Sequence, residues 1–268
     1  MNTNFIIHEP ADIYHARSRS GEFMSSHLLK DFRKAPDFYH RKMTGEIKEN
    51  DTPAFALGRA AHSLILEGRR AFDREFVVAD GPVNPNTGAP YKEDSKTYAK
   101  WLATQDREIV SSETYNLILK LQQSVHCHAE ASQLLASGEA EGVVRAEYCG
   151  VPCQIRMDWF SPEHGLVDLK TCDSLERLEA DRRTLSDYVF QMAFYRAIFR
   201  IATGITIPVH IIAVEKKVTF YTGVWNPISD VLDTAERINE AALERYKKCQ
   251  YTGIWPTGYE EVRVIDTL

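Results

Sequence analysis

The sequence predicts an α/β protein: a mostly helical portion over 1–140 leads into an α/β portion over 141–268, together one domain of 268 residues. Three observations predict it. Apolar residues recur at helical spacing up to about residue 137. From Gly142 the pattern changes to short apolar runs bounded by turn residues. Beyond them, long helical patterns alternate with two further strand-like runs, the order expected of helices packed on a sheet. A chain of this length buries a sizeable core.

The elements follow in order. Ser25 or Ser26 caps a short helix, HLLKDFRKA, which Pro36 stops. Thr52 and Pro53 open the next helix, Thr at the N-cap and Pro at the first position, and Gly68 closes it. Inside lies FALGRAAHSLILE, where His62 stands one turn after Gly58 on the same face, and where the Gly and the Ala pair permit close approach to another backbone. Residues 71–110 read as irregular, with the loop DGPVNPNTGAP before a helix around 96–105. A long amphipathic helix is predicted from Ser112 to Ser137, ended by Gly138, with Leu117, Leu119, Leu121 and Val125 as core and His126 and His128 at the surface. Three strands come next, VVRAEYCG, VPCQIRMDWF and GLVDLKTC. Ser186 is expected to cap the helix DYVFQMAFYRAIFRIATG, closed by Gly204. Two strands, IPVHIIAVE and VTFYTGVW, flank a Lys216-Lys217 turn, and a last helix over 228–249 leads to a tail containing WPTGY.

Composition bounds the function. Hydrophobic content of 44% and charged content of 26% are ordinary for a soluble globular protein. No apolar run reaches the length of a membrane span, and the N-terminus lacks the pattern of a secretory signal, so a cytoplasmic protein is expected. Five cysteines, at 127, 149, 153, 172 and 249, form no dense framework and fit free thiols in a reducing compartment. The net charge of −6 argues against a surface coated for nucleic acid but leaves room for a local basic groove. Tyr14 to Lys42 carries seven Lys/Arg against three Asp/Glu, either a solvated helix face or a DNA-contacting surface.

The stretch QIRMDWFSPEHGLVDLKTCDS carries the chemistry. Strand side chains alternate, so Asp168 and Lys170 point one way while Val167 and Leu169 point the other. If the two runs pair through a turn at 161–165, Asp158 reaches the same spot. Two carboxylates and an ammonium converging there suit a hard divalent cation and phosphodiester hydrolysis. D-x-K alone equally suits a surface salt bridge. Further downstream, Gln191 and Tyr195 stand at i and i+4 on one helix, where Gln191 is otherwise a hydrogen-bonded core residue. His62 alone on an apolar helix is more often structural. Glu147 shares a strand face with Arg145, which suggests an ion pair.

Together these residues resemble the PD-(D/E)xK nucleases, in the branch with an upstream His and a Q-x-x-x-Y helix that includes the RecB nuclease domain and phage-type exonucleases such as lambda exonuclease. YHARSRSGEFMSSHLLKDFRKAPDFYHRKM and TPAFALGRAAHSLILEG look like the RecE (exonuclease VIII) nuclease domain, and the resemblance runs from about Ile7 to the WPTGY tail. It implies a restriction-endonuclease-like core, a mixed central sheet flanked by helices. It implies a metal held by the side chains of His62, Asp158 and Asp168 and the carbonyl of Leu169, with Mg²⁺ expected and Mn²⁺ an option. Lys170 would be the catalytic lysine, and Gln191 with Tyr195 would hold the site or the DNA. Met157 stands where the eponymous Pro would be, a variable position. Related iron–sulfur nucleases place a trio of cysteines near the C-terminus; here Cys249 is the only cysteine after Cys172, so no cluster is expected. The resemblance further implies 5′→3′ resection of double-stranded DNA ends, a homo-oligomeric ring, most simply a tetramer, and a RecT-type annealing partner. Lys30, Arg33, Lys34, Arg41, Lys42 and Arg59 are the candidates to line its channel. An endonuclease, a helicase-dependent nuclease and a non-catalytic DNA-end-binding protein are the alternatives.

Overall fold

The computed structural model describes residues 5–48 and 51–264. The first portion is helical: α1 (Ala11–Arg19), α2 (Ser26–Lys34), α3 (Pro36–Met43) and α4 (Pro53–His62). Ser25 caps α2 by accepting from the Leu28 N–H, and Thr52 does the same for α4 through Phe55, as their sequences predict. Pro36 serves both to stop α2 and to start α3. At His62 the α-helix widens into a π-turn over Ser63–Glu67, which Gly68 ends at φ 82°.

The segment expected to be irregular holds structure of its own. α5 (Arg69–Glu75) runs into β1 (Phe76–Val78), which pairs in parallel with β2 (Glu108–Val110) across α6 (Lys96–Leu102). The single helix expected over 112–137 is two. α7 (Ser112–Cys127) and α8 (Ala129–Leu134) meet at His128, whose extended backbone breaks the helix and whose Nδ1 accepts from the Ala131 N–H. Within α7 the core stripe is Ile118, Leu121 and Val125, whereas Leu119 is turned out to solvent.

The central sheet contains β3 (Glu139–Tyr148), β4 (Val151–Ser161), β5 (Gly165–Cys172), β6 (Val209–Glu215) and β7 (Thr222–Trp225), in that spatial order. Only β5 and β6 are parallel, which makes the sheet mixed. The crossover between them carries α9 (Leu175–Ala180) and α10 (Arg182–Thr203), and α11 (Ser229–Thr252) follows β7. α10 starts a turn earlier than expected. Asp181 is its cap, accepting from the Arg183 and Thr184 N–H groups, and Ser186 sits inside the helix with its hydroxyl donating to the Arg182 carbonyl. β7 is shorter than its apolar run because Thr219 and Phe220 take positive φ and turn the chain.

Each face of the sheet has its own core. Leu166, Val209 and Ile211 face α2, α10 and α11, around Phe32, Phe160, Phe194 and Phe199. Val167, Leu169, Ile212 and Val214 face α4, α7 and α8, around Leu64, Phe72 and Ile118. Burial on both faces is what the near-continuous apolar runs of β5 and β6 dictate. Among the described residues no helix is long and apolar enough to cross a membrane.

Candidate active site

β4 and β5 form the predicted hairpin, but they pair over three rungs only: Trp159 with Val167, Phe160 with Leu166, and Ser161 with Gly165. Beyond the last rung the strands diverge and leave a fork. Asp158 and Asp168 are the first residues past it. The Leu169 N–H finds no backbone partner on β4 and donates instead to the side chain of Asp158, at Oδ2, 2.8 Å away.

The fork draws side chains from both helical layers. From the α4 side, His62 Nε2 lies 2.5 Å from the Leu169 carbonyl oxygen and 3.3 Å from Asp158 Oδ2. Since one of those neighbours is a carbonyl, Nε2 carries the proton and donates. From the α10 side, Gln191 Nε2 donates to Asp168 Oδ1 at 2.9 Å. Strand alternation puts Lys170 on the same face as Asp168, with Nζ 2.6 Å from Asp168 Oδ2. Tyr195 is buried one turn after Gln191, and burial pushes its hydroxyl well above the ordinary range.

Burial disfavours every charge in this group, and mutual pairing decides which survive. Burial opposes the Asp158 carboxylate, but His62 and Lys170 hold it below the usual range. Burial opposes the His62 imidazolium in turn, yet Asp158 and the Leu169 carbonyl raise it to about 9. Asp168 is lifted by burial and by Asp158, with Lys170 only partly offsetting them. Lys170 is raised, since the two carboxylates outweigh its burial.

The donor set fits a divalent metal ion: an imidazole nitrogen, two carboxylates and a backbone carbonyl. Asp168 Oδ2 is buried and makes no well-directed hydrogen bond, although Lys170 Nζ lies 2.6 Å away. His62 is turned onto Asp158 and the Leu169 carbonyl, and among the described residues no three His, Cys, Asp or Glu side chains stand as a ready cage.

Residues 25–267 match the family described as a PDDEXK-like domain of unknown function (DUF3799). The chain belongs to this family. No curated protein matches the chain. A crystal structure of a "putative exonuclease" from Eubacterium rectale has the same fold, with a TM-score of 0.68 at 17% identity, over 98% of this chain and 96% of that one.

The PDDEXK-like domain adds residues that sequence reasoning missed. Register places Glu141 of β3 opposite Asp158, between the pairs Ala140–Trp159 and Gly142–Met157. Its φ is +59°, and its carboxylate binds Arg156 Nε at 2.6 Å. Burial and Asp158 both raise its pKa. Tyr188, three residues before Gln191, lays its ring beside Lys170 with Nζ 5.3 Å from the centroid. The helical spacing to Gln191 was the available signal for Tyr188, and the strand register for Glu141.

Each of the six basic candidates has a partner within this domain. Arg33 is largely buried, donating to Asn239 at 2.6 Å and covering the Phe190 ring. Lys42 binds Asp31, and Lys34 lies over the Phe38 ring at 4.0 Å. Arg41 binds Asp37, and Arg59 binds Asp51 and Glu108. Lys30 binds Asp187 but is half exposed, near His27 on the same helix. Arg145 binds Glu9 and Gln154 rather than Glu147, which is exposed.

Proposed function

We propose that this protein is a divalent-metal-dependent exodeoxyribonuclease that resects double-stranded DNA ends in the 5′→3′ direction. The observation that carries this reading is the fork, where both acids, Lys170, His62 and the Leu169 carbonyl meet within hydrogen-bonding reach. The side chains of His62, Asp158 and Asp168 with the Leu169 carbonyl would hold Mg²⁺ or Mn²⁺. When bound, the ion supplies a water of lowered pKa and a counter-charge for the phosphoryl oxygens. Lys170 brings an ammonium to the scissile phosphate or the attacking water. Gln191 holds Asp168 by one oxygen and leaves the other for the site. The likeness in fold to the Eubacterium rectale protein, over nearly all of both chains, supports end-directed action. In this reading the 3′ tails feed a single-strand annealing protein of the RecT type, and several copies of the chain surround the duplex as a ring.

Linear duplex labelled at either the 5′ or the 3′ end, with Mg²⁺, Mn²⁺ or EDTA, alongside a covalently closed circle, tests it. Early release of 5′ label as nucleotides, a spared circle and inhibition by EDTA are expected. Cleavage of the circle moves the assignment to an endonuclease. No cleavage of either leaves a partner-dependent or purely DNA-binding role.

A further inference from the structure

His62 is the last residue of α4, and the same face of that helix continues outward from the fork. Phe55, Gly58 and His62 stand at i, i+3 and i+7, so they form one stripe, with Phe55 roughly 10 Å along the axis from His62. Phe55 is 64% exposed. A single exposed aromatic side chain needs no explanation; one aligned with a site residue across a glycine does. Gly58 lies inside the helix, where glycine is less stable than alanine. A Cβ built there meets nothing within 4 Å among the described residues, so packing within the chain does not call for glycine. Arg59 beside it is engaged by Asp51 and Glu108 and leaves the stripe uncharged between Phe55 and His62.

We propose that this stripe receives the end of the DNA. Phe55 stacks on a base at or beside the nucleotide being cut, and Gly58 gives the sugar–phosphate backbone room to lie against the helix between that base and His62. The inference rests on the nuclease reading and deepens it, assigning how the substrate end is held. Every base has a face to stack, so an aromatic contact serves an enzyme that takes each nucleotide in turn whatever its sequence. A base that stacks on Phe55 has compensation for leaving its pair, which lowers the cost of opening the terminal base pair.

The test compares wild type, Phe55→Ala, Phe55→Trp and Gly58→Ala on a blunt duplex and on the same duplex with mismatched terminal pairs. Terminal 2-aminopurine fluorescence is read on binding in EDTA. Phe55→Ala is expected to slow blunt-end digestion about tenfold or more, while the mismatched end stays within about twofold of wild type. Phe55→Trp retains the blunt-end rate, and quenching of the terminal 2-aminopurine is lost only in Phe55→Ala. Gly58→Ala raises the Tm yet slows both substrates. The inference is overturned if Phe55→Ala digests the blunt end at the wild-type rate, or if both ends slow equally with quenching intact. Should wild type cut neither substrate, the reading as a self-sufficient exonuclease fails. The fluorescence then still decides the stacking: loss of quenching in Phe55→Ala upholds it, and an unchanged signal overturns it.

Discussion

Asp158 satisfies the backbone N–H of Leu169 across the fork, at 2.8 Å, in place of the strand partner that β4 no longer provides. The same carboxylate is therefore both a structural acceptor and a member of the candidate site. Asp158→Ala is expected to leave that buried N–H unmet and to cost about 1–3 kcal/mol. Asp158→Asn retains an oxygen acceptor and most of that stability. Cleavage falls in both by about 10²-fold or more. Urea denaturation beside digestion of linear duplex measures the pair, and equal stability of the two variants counts against the acceptor role.

Asp168 has a side chain only 2% exposed, with Lys170 as its counter-charge. Removing one member of such a pair is costlier than removing both. Lys170→Met is expected to destabilise the fold by about 3–5 kcal/mol near neutral pH, and less in acid, where the lone Asp168 carboxyl takes a proton. The double variant Asp168→Asn with Lys170→Met recovers most of the loss without recovering cleavage. Denaturation at pH 5 and pH 8 reads both parts, and additive losses in the double variant rule out the coupling.

His62 gives a pH dependence with a definite sign. Its folded pKa is raised to about 9 from an unfolded value near 6.5, so the folded state binds the proton more tightly. The stabilisation from its charged pairing is fully present below about pH 6.5 and is lost as pH rises to about 9. In EDTA, the Tm difference between wild type and His62→Gln is expected to shrink over that window. A difference that stays constant or grows with pH means the proton is not held as described.

Gly165 closes the hairpin whose opening forms the fork. Its φ is +86°, and a Cβ there would lie 2.1 Å from the Pro208 carbonyl oxygen. That same carbonyl accepts from the Leu166 N–H, which ties the hairpin to the chain entering β6. Gly165→Ala is expected to cost about 2 kcal/mol or more, with cleavage falling as the acids lose their spacing. Full stability of the variant, measured by urea titration, contradicts this role.

Much of this arrangement was legible in the sequence, for local reasons. Alternation along GLVDLKTC separates Asp168 and Lys170 from Val167 and Leu169, and the Ser161–Gly165 turn brings Asp158 alongside. What escaped depended on partners distant in the chain. Nothing near Arg33 in the sequence signals that Asn239, 206 residues away, accepts from it. His128 reads as an ordinary helical residue because only its backbone torsion reveals the break. Asp181 rather than Ser186 is the cap, and both are residue types that cap helices, lying five positions apart in the sequence. Glu141 escaped because its partner Arg156 and its neighbour Asp158 both lie on the next strand.

The two cores bear on how the candidate site is assembled. His62 arrives from one layer of helices and Gln191 from the other, and the acids stand on the sheet between them. A chain with only one layer docked lacks either the imidazole or the amide that orients Asp168. The constellation is therefore complete only where both layers are docked on the sheet.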